Sequence, residues 1–360
     1  MWRSRRGIEL QDKYKVVDLF CGAGGLSQGF CWAGYDIIAG IDHNPEALLT
    51  YSKNFANALT LNEDLSLPEN ITKIIDKLKG HNIDILLGGP PCQGYSIAGK
   101  RQVHDPRNQL FKSYIEIVKN LGPKVILIEN VPNILSMGNG MYKDAIINDL
   151  KNLGYNVEVM KLNSANFGVP QNRNRAFFIA SKNNLSSLLK LNSIVEDNPI
   201  TTEMALSDLP LLEDIFESEE MDYCTGPLNN YQKFIRIDSS KIYNHGAVKH
   251  TETTKRIISL VPDGGNYKDL PLELQGTRKV NIAWTRMNSK KPCFTIDAGH
   301  NHHFHYLANR VPTVRECARI QSFPDNFIFV GKRTSQYKQV GNAVPPLLAK
   351  AIANLILEIL

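Results

Sequence analysis

The sequence predicts an α/β fold with a mostly parallel sheet. Between about residues 15 and 181, short β-rich runs alternate with stretches of helix-like sequence. Most of the runs are apolar over consecutive positions, which is typical of strands buried on both faces. Strands of this kind, each followed by a helix, indicate a parallel sheet covered by helices on both sides. The runs are KVVDLF, YDIIAGID, DILLGG, KVILIEN, NVEVMKL and RAFFIAS.

The composition is that of a folded intracellular protein. A chain of 360 residues, 42% of them hydrophobic, suits one large domain and a smaller one. No stretch approaches the roughly 20 apolar residues of a membrane-spanning helix, and the charged N-terminus lacks a hydrophobic signal core. The six cysteines show no CxxC pair or His/Cys ligand spacing, so we expect reduced thiols in a cytoplasmic protein. The net charge of +5 permits an anionic partner without demonstrating one.

The strand–helix alternation stops after about residue 181, and the charges then separate. Residues 196–222 contain ten acidic side chains and no Lys or Arg, whereas residues 233–291 contain twelve Lys/Arg against five Asp/Glu. The basic run is a solvated surface in its simplest interpretation; the alternative is a loop-rich unit that faces a polyanion. The helix-like, apolar C-terminus is expected to return to the large domain. The sequence thus predicts a large domain of residues 13–207 and 310–360 and a smaller one of residues 208–309.

A glycine turn follows the first strand, in KVVDLFCGAGGLSQGF. Gly22, Gly24 and Gly25 permit a tight turn and close approach of a ligand at a helix N-terminus. Asp42 ends the next strand, at the distance where α/β nucleotide-binding proteins place a carboxylate on ribose hydroxyls. Asp64 follows the third strand and is placed to accept from an adenine amino group. A merely tight turn is the alternative for the glycines alone, but the series of acids favours a nucleotide-like cofactor.

The segment DILLGGPPCQGYSIAGKRQ places a cysteine, Cys92, directly after a strand and two prolines. Free cysteines are usually small buried core residues. A cysteine on a rigid turn that leads into a basic loop is instead favourable for a reactive thiolate. The loop carries Lys100 and Arg101 and is suited to closing over an anionic backbone.

A thiolate combined with a methyl donor fits methyl transfer to C5 of cytosine. C5 becomes nucleophilic only after sulfur adds to C6, and that adduct needs a proton or strong hydrogen bond at N3 and a donor at O2. Glu129, at the end of KVILIEN, is predicted to face the cleft of Cys92 and to provide the N3 contact. Arg173 and Arg175 have a spacing of two, so one can approach O2 while the other positions Glu129. The alternative for Glu129 is an acid that caps a helix, and the alternative for the two arginines is a surface salt-bridge pair.

These segments resemble the cytosine-C5 DNA methyltransferase family. The resemblance covers about residues 15–181 and 312–360, in the family's usual order. It implies a Rossmann-like S-adenosylmethionine-dependent methyltransferase domain with a smaller loop- and β-rich target-recognition domain, residues 208–309. The cofactor implied is S-adenosyl-L-methionine, without a metal. The motifs are DLFCGAGG, GGPPCQGYS, IENVPN, QNRNR, RVPTVRECARIQSFPDNF and QVGNAVPP.

The resemblance also implies roles for individual residues. Cys92 matches the nucleophile, Glu129 the group at N3 and Arg175 the O2 contact, with Arg173 supporting. Asp42 stands where the family often has Glu, and His43 replaces a commonly bulky apolar neighbour. The implied cofactor-binding residues are Phe20, Gly22, Gly24, Gly25, Asp42, Asp64, Leu110, Asn342 and Val344, and the implied DNA contacts are Ser96, Lys100 and Arg101.

The partner implied is double-stranded DNA, because a cytosine must leave the helix to meet Cys92. Bases are expected to be read around Trp284, Arg286 and FTIDAGHNHHFHY. The histidines of that stretch suggest a metal, but no carboxylate or cysteine stands at ligand spacing. We further expect a nucleoid-associated monomer that modifies DNA in a restriction-modification system, with a cognate endonuclease acting on the same site without a stable complex.

Three other functions are compatible with parts of the sequence. Cys293-Phe294-Thr295 resembles a signature of the branch that methylates cytosine in transfer RNA, although Ala298 occupies the place of that branch's tyrosine. A non-catalytic DNA-binding regulator on the same fold would be expected to lack Cys92, Glu129 or Arg175, and all three are present. An oxidoreductase with a dinucleotide site is the alternative from fold alone, and the Pro-Cys-Gln loop argues against it.

Overall fold

A seven-stranded sheet forms the centre of the protein. The computed structural model describes residues 13–91, 108–213, 220–275, 284–297 and 303–360. The strand order is β3-β2-β1-β4-β5-β7-β6; the first five strands along the chain are parallel, and β7 runs antiparallel to both its neighbours. The predicted α/β fold with a mostly parallel sheet is confirmed. The strands are β1 (Lys15–Leu19), β2 (Asp36–Asp42), β3 (Leu59–Asn62), β4 (Ile85–Gly88), β5 (Val125–Asn130), β6 (Asn156–Asn163) and β7 (Asn174–Ser181).

The central strands are mostly apolar, as expected for strands that helices cover on both faces of the sheet. On β4, Ile85 and Leu87 face one hydrophobic core and Leu86 faces the other. The loops at the carboxyl ends of β1, β4 and β5 therefore open on the same edge, where ligands bind in sheets of this kind. The helices of this domain are α1 (Gly25–Trp32), α2 (Pro45–Asn54), α3 (Pro68–Leu78), α4 (Asn108–Leu121), α5 (Met141–Asn152) and α6 (Thr202–Leu206).

The C-terminal helices return to the large core, as the apolar tail predicts. They are α10 (Val314–Ile320), α11 (Arg333–Asn342) and α12 (Pro346–Ile356). Helix α12 packs directly on α1: a side chain at Gly29 would overlap Ala349, and the Tyr35 hydroxyl donates to the Ala353 carbonyl at 2.8 Å. The segment that carries the glycine turn is thereby held from behind by the end of the chain.

The intervening segment is built from short elements. They are β8 (Glu220–Met221), α7 (Asn230–Ile235), β9 (Ile242–Tyr243), α8 (Glu252–Ser259), α9 (Leu272–Gln275), β10 (Thr285–Arg286) and β11 (His303–Phe304). Strands β8 and β9 pair antiparallel and β10 and β11 pair parallel. Short 3₁₀ helices complete the fold at Pro132–Leu135, Met137–Gly140, Ser164–Phe167, Ser186–Ser193 and Tyr267–Asp269. Within the described ranges, no helix has the length and apolarity needed to cross a membrane.

Candidate active site

The glycine turn after β1 is close-packed on one side and open on the other. A Cβ at Gly25 would overlap the carbonyl oxygen of Val344, and one at Gly24 would overlap the ring of Phe55. A Cβ at Gly22, in contrast, would meet nothing within 4 Å. Phe20 has a φ of 57°, in the left-handed region that a bulky residue rarely adopts. The turn therefore presents backbone to an open space, while the C-terminal segment fixes its position.

Asp42 braces this turn. Its Oδ2 accepts from the Gly22 N–H at 2.9 Å and its Oδ1 accepts from the Asn44 N–H at 2.8 Å. The side chain is buried. Each carboxylate oxygen retains a second acceptor position, so a ribose contact remains compatible with the bracing role.

Asp64 lies at the same edge of the sheet as Asp42. The ends of β2 and β3 are in register, Asp42 with Asn62. Asp64 is exposed, and its Oδ1 accepts from the Ser66 N–H at 2.8 Å. Hydrogen bonds from Ser66 lower the pKa of this carboxyl, which keeps it an acceptor.

Asp18 belongs to this site, although the sequence did not single it out. It is fully buried at the end of β1 and accepts from the Ser27 hydroxyl at 2.7 Å; that hydroxyl lies 2.8 Å from the Tyr51 hydroxyl. Burial raises the pKa of Asp18 to about 7, and the nearby charge of Asp42 adds to the rise. The available signal was an acid inside an apolar strand just before a glycine turn, where an uncompensated carboxylate is costly.

The three remaining cofactor candidates occupy different positions. Val344 is buried against Gly25, Asn342 is exposed at the end of α11, and Leu110 is half-buried in the first turn of α4. Of these three residues, Val344 is the one that packs on the glycine turn, through its carbonyl oxygen at Gly25. The roles of Asn342 and Leu110 stay predictions.

Glu129 and Arg175 form an ion pair at the carboxyl end of β5. Arg175 Nε lies 2.9 Å from Glu129 Oε1, and the exposed fractions of the two side chains are 16% and 14%, respectively. Burial raises the pKa of Glu129, and the opposing effect of Arg175 is smaller. A carboxyl with a raised pKa is the kind of group that can hold a proton for a ring nitrogen.

The turn that precedes Cys92 is joined to the same strand end. Asn130 donates from Nδ2 to the Pro90 carbonyl at 3.0 Å. A Cβ at Gly89 would lie 3.2 Å from Glu129 Oε2. The Gly-Gly-Pro-Pro turn therefore leads the chain to residue 91 beside Glu129. Four predicted residues, Cys92, Ser96, Lys100 and Arg101, lie outside the described residues.

Arg173 differs from Arg175, although the spacing of two predicted a common face. Arg173 is buried and donates to the Ile296 carbonyl at 3.1 Å and the Gly341 carbonyl at 2.9 Å. Burial lowers its pKa to about 9, with a further effect from Arg175. The side chain bonded to Glu129 is thus Arg175, whereas Arg173 joins the start of β7 to two distant segments.

The histidine-rich stretch and its neighbours have structural contacts. Arg286 is buried and donates only to main-chain carbonyls and Asn309 among the described residues, and Trp284 is buried in a hydrophobic cluster. In these positions, neither the Arg286 nor the Trp284 side chain is available to contact the edge of a base. His305 Nδ1 accepts from the Leu307 and Ala308 amides, and the His303 ring packs against Phe294 at 4.2 Å between centroids, tilted by 45°. In the described part of the chain, no three His, Cys, Asp or Glu side chains gather as metal ligands; His300 and His302 lie outside it.

Part of the basic excess of residues 233–291 is paired within the chain, whereas Lys233 and Lys291 are exposed. Arg236 pairs with the buried Asp208, Lys241 with Asp222 and Lys290 with Glu203. Lys249, Arg256 and Lys268 are exposed. The charge count of this segment therefore exaggerates the number of cations that a polyanion can meet.

Cys293 is a framework residue. It is buried, its N–H donates to the Pro170 carbonyl and its own carbonyl accepts from the Asn172 N–H at 2.7 Å. Burial raises the pKa of its thiol well above the ordinary value, so it is a poor nucleophile. The Cys-Phe-Thr triplet thus has a structural explanation in this chain.

Comparisons with known proteins identify the family. A family model described as C-5 cytosine-specific DNA methylase matches residues 14–358. The chain is 39% identical to the type II methyltransferase M.DdeI of Desulfomicrobium norvegicum, over 94% of this chain and 87% of that one. It is 36% identical to the type II methyltransferase M1.HphI of Haemophilus parahaemolyticus, over 95% and 86%.

Solved structures show the same fold. A candidate DNA modification methyltransferase encoded within an E. coli prophage is similar with a TM-score of 0.79 and 27% identity, over 96% of this chain and 99% of that one. The S. pombe Dnmt2 methyltransferase is similar with a TM-score of 0.58 over 96% and 99% of the two chains. At 19% identity, the second likeness concerns the fold alone.

Proposed function

We infer that this chain, which belongs to the C-5 cytosine-specific DNA methylase family, methylates C5 of a flipped-out cytosine in a specific double-stranded DNA sequence. The observation that carries the proposal is the Glu129–Arg175 pair beside the turn that leads to Cys92. At this edge of the sheet, the Glu129 carboxyl with its raised pKa lies beside the Arg175 cation and the turn that leads to the nucleophile. Each group meets one requirement of cytosine chemistry.

The Cys92 thiolate adds to C6 of the cytosine, and the ring becomes nucleophilic at C5. Glu129 supplies the proton or hydrogen bond at N3 that this addition requires. Arg175 holds the Glu129 carboxyl in place and is the proposed donor to O2. After the methyl group is transferred to C5, a base removes the C5 proton, the bond from sulfur to C6 breaks and N3 returns its proton to Glu129, so that Cys92 and Glu129 are regenerated.

The cofactor proposed for the glycine turn is S-adenosyl-L-methionine, which supplies the electrophilic methyl group when bound. The fit rests on the open space at Gly22 and on the acids around it. Asp42 takes the ribose, Asp64 the adenine amino group, and Phe20, Gly24 and Gly25 form the turn. Asp18 places a titratable carboxyl beneath the turn, where a positively charged ligand favours its ionised form.

DNA is held by two parts of the chain in this proposal. The loop with Ser96, Lys100 and Arg101 contacts phosphates near the flipped cytosine. The target sequence is read within residues 208–309, while residues 13–207 and 310–360 perform the chemistry. The two type II methyltransferase relatives support a modification role beside a restriction endonuclease. We further propose that the chain acts as a cytoplasmic, nucleoid-associated monomer.

Bisulfite sequencing of DNA from cells that express the chain tests this function. We expect protected cytosines at one recurrent sequence, and none with the Cys92→Ala variant. DNA that contains 5-fluorocytosine at the mapped site should form a covalent adduct with the wild type, because fluorine at C5 blocks the final elimination. Methylation by purified Cys92→Ala protein, or methylated RNA without methylated DNA, would contradict the proposal.

A further inference from the structure

A buried pair of amide side chains connects the segment that leads into β7 with the end of α10. Gln171 and Gln321 are both fully buried, and Gln171 Nε2 donates to Gln321 Oε1 at 2.7 Å. Gln171 also donates to the Ile320 carbonyl at 3.2 Å and accepts from the Ile296 N–H at 3.0 Å. Burying an amide side chain is costly unless its donors and acceptors are bonded, and the proposed chemistry gives neither amide a role.

The Gln321 amide holds the end of α11. Its Nε2 donates to the Val340 carbonyl at 2.8 Å and to the Ala343 carbonyl at 3.2 Å. Arg173 supplies a further donor here, to the Gly341 carbonyl at 2.9 Å. The last carbonyls of a helix have no partner within the helix, so side chains from elsewhere can satisfy them. An amide suits this place because its oxygen accepts from one side while its nitrogen donates to the other.

The next residue of the chain, Ser322, holds the start of α12. Its side chain is fully buried, and its hydroxyl accepts from the Leu347 N–H at 3.1 Å. The first N–H groups of a helix also lack partners within it, so this hydroxyl caps α12 from a distant segment. The φ of Ser322 is 64°, a left-handed conformation that persists only where the surrounding structure enforces it. Gln321 and Ser322 therefore hold residues 340–347 at both ends.

The segment held in this way forms one wall of the glycine turn. A Cβ at Gly25 would overlap the Val344 carbonyl oxygen and would lie 3.1 Å from the Ala343 side chain. Asn342, which the sequence implies as a cofactor residue, is exposed between the bonded carbonyls of Gly341 and Ala343. The wall thus carries an accessible side chain on a main chain that is fixed on both sides of it.

We propose that Gln321, braced by Gln171, is a positioning residue for the cofactor: it fixes the end of α11 so that Asn342 and Val344 stand in place against S-adenosylmethionine. The inference rests on the proposed function and adds to it two residues that act through the main chain. Gln171 stands four residues before Arg175 in QNRNR. The segment that carries the catalytic arginine therefore also braces the wall of the cofactor site.

Gln321→Met tests this role, because methionine is an unbranched side chain of similar size without an amide. Calorimetric titration with S-adenosylmethionine should show a Kd raised about tenfold, the order expected for one lost buried hydrogen bond. Gln171→Met should raise the Kd less, since Gln321 keeps its own donors to α11. The double variant should match Gln321→Met rather than multiply the two effects, because both amides act through one contact.

Gln232→Met is the matched control. Gln232 is also fully buried, and its amide also has three hydrogen bonds, which none of the residues at the end of α11 supplies. Its partners are the Leu228 N–H, the Met204 carbonyl and the Ser207 hydroxyl. The control should lower the free energy of unfolding in urea as Gln321→Met does, but its Kd for S-adenosylmethionine should stay within about twofold of the wild type.

Single-turnover methylation separates positioning of the cofactor from damage to the catalytic pair. At saturating S-adenosylmethionine, the rate of Gln321→Met should return to within about threefold of the wild type. A rate that stays low at saturation would place Gln321 with the catalytic pair, against the inference. An unchanged Kd for Gln321→Met, or an equal rise for Gln232→Met, would also overturn it. An unaltered chain that binds no S-adenosylmethionine would instead contradict the proposed function, so the two failures are distinguishable.

Hydrogen exchange on the unaltered chain decides the matter if Gln321→Met fails to fold. Saturating S-adenosylmethionine should slow exchange roughly fivefold in peptides from 287–297. The reason is that the Ile296 N–H is bonded to Gln171 and therefore reports on the amide pair. Slower exchange confined to peptides around the glycine turn would show that the pair is not coupled to the cofactor, and the inference would be wrong.

Discussion

Arg175 and Glu129 are paired through Nε and Oε1 at 2.9 Å, and both side chains are mostly buried at the end of the sheet. The two residues come from β5 and β7, which are neighbours in the sheet, but they lie 46 residues apart in sequence. It gives the carboxyl a fixed orientation while burial keeps its pKa raised. The first predictions concern this pair.

Arg175→Ala should lower kcat by on the order of 10²-fold or more, because Glu129 loses its orientation at N3. Arg175→Lys should recover only part of the loss, since an ammonium cannot reproduce the planar guanidinium. Single-turnover methylation of the mapped DNA site measures both effects. Cofactor affinity, measured by calorimetry, is the control and should stay within about twofold, as the pair lies away from the glycine turn. Full activity of Arg175→Ala would remove Arg175 from the mechanism.

Glu129→Gln should remove the pH dependence that belongs to this carboxyl. The pKa of Glu129 is raised in the folded state, so its contribution to stability is present at low pH. That contribution is lost as the pH rises through the folded pKa. The wild type should therefore lose stability relative to Glu129→Gln as the pH rises above the ordinary carboxyl pKa. Urea unfolding of both proteins at several pH values measures this difference in the free energy of unfolding. A wild type that gains stability relative to Glu129→Gln as the pH rises would contradict the raised pKa.

Asp18→Asn should change both stability and cofactor binding between about pH 4 and pH 7. The folded pKa is raised to about 7, so the wild type should lose at most about 1.4 kcal/mol per pH unit in that window relative to the variant. A positively charged cofactor favours the ionised carboxyl, so wild-type affinity for S-adenosylmethionine should increase with pH and level off above about 7. Calorimetry from pH 5.5 to 8.5 measures this, and equal pH profiles for the two proteins would exclude Asp18 from the site.

Gly25→Ala should abolish cofactor binding and destabilise the protein by roughly 1–3 kcal/mol, because the new methyl group overlaps the Val344 carbonyl. Gly226→Ala is the matched control, since a Cβ there meets nothing within 4 Å. Thermal unfolding with and without S-adenosylmethionine reports both properties. A ligand-induced rise in Tm for Gly25→Ala equal to that of the wild type would show that the turn does not hold the cofactor.

Lys100→Ala and Arg101→Ala should weaken binding to every duplex and reduce the log–log salt slope by about one unit for each lost phosphate contact. Lys290→Ala is the control, because Lys290 is already paired with Glu203. Fluorescence anisotropy at several salt concentrations measures the slopes, and bisulfite sequencing follows the methylated site. The loop would be reading bases, against our assignment, if either loop variant changed that site.

The sequence was sufficient for the features that depend on neighbours along the chain. Largely apolar runs predicted strands buried on both faces, and the structure confirms the sheet. The glycines after β1 predicted a tight turn, and the close approach of Val344 explains why Gly25 carries no side chain. The order of the motifs was enough to predict the family that the comparisons show.

Only the tertiary structure decided which of the similar residues do what. Arg173 and Arg175 look equivalent in QNRNR, yet one is bonded to distant carbonyls and the other to Glu129. Arg286, expected to read bases, is buried among carbonyls. Asp18 emerges as a titratable group because folding buries it and brings the charge of Asp42 near it. The physical reason is that charge and hydrogen-bonding capacity belong to a residue type, whereas burial and partners arise from segments brought together by folding. A local sequence pattern determines the chemistry of each residue but contains little information about its burial and its partners.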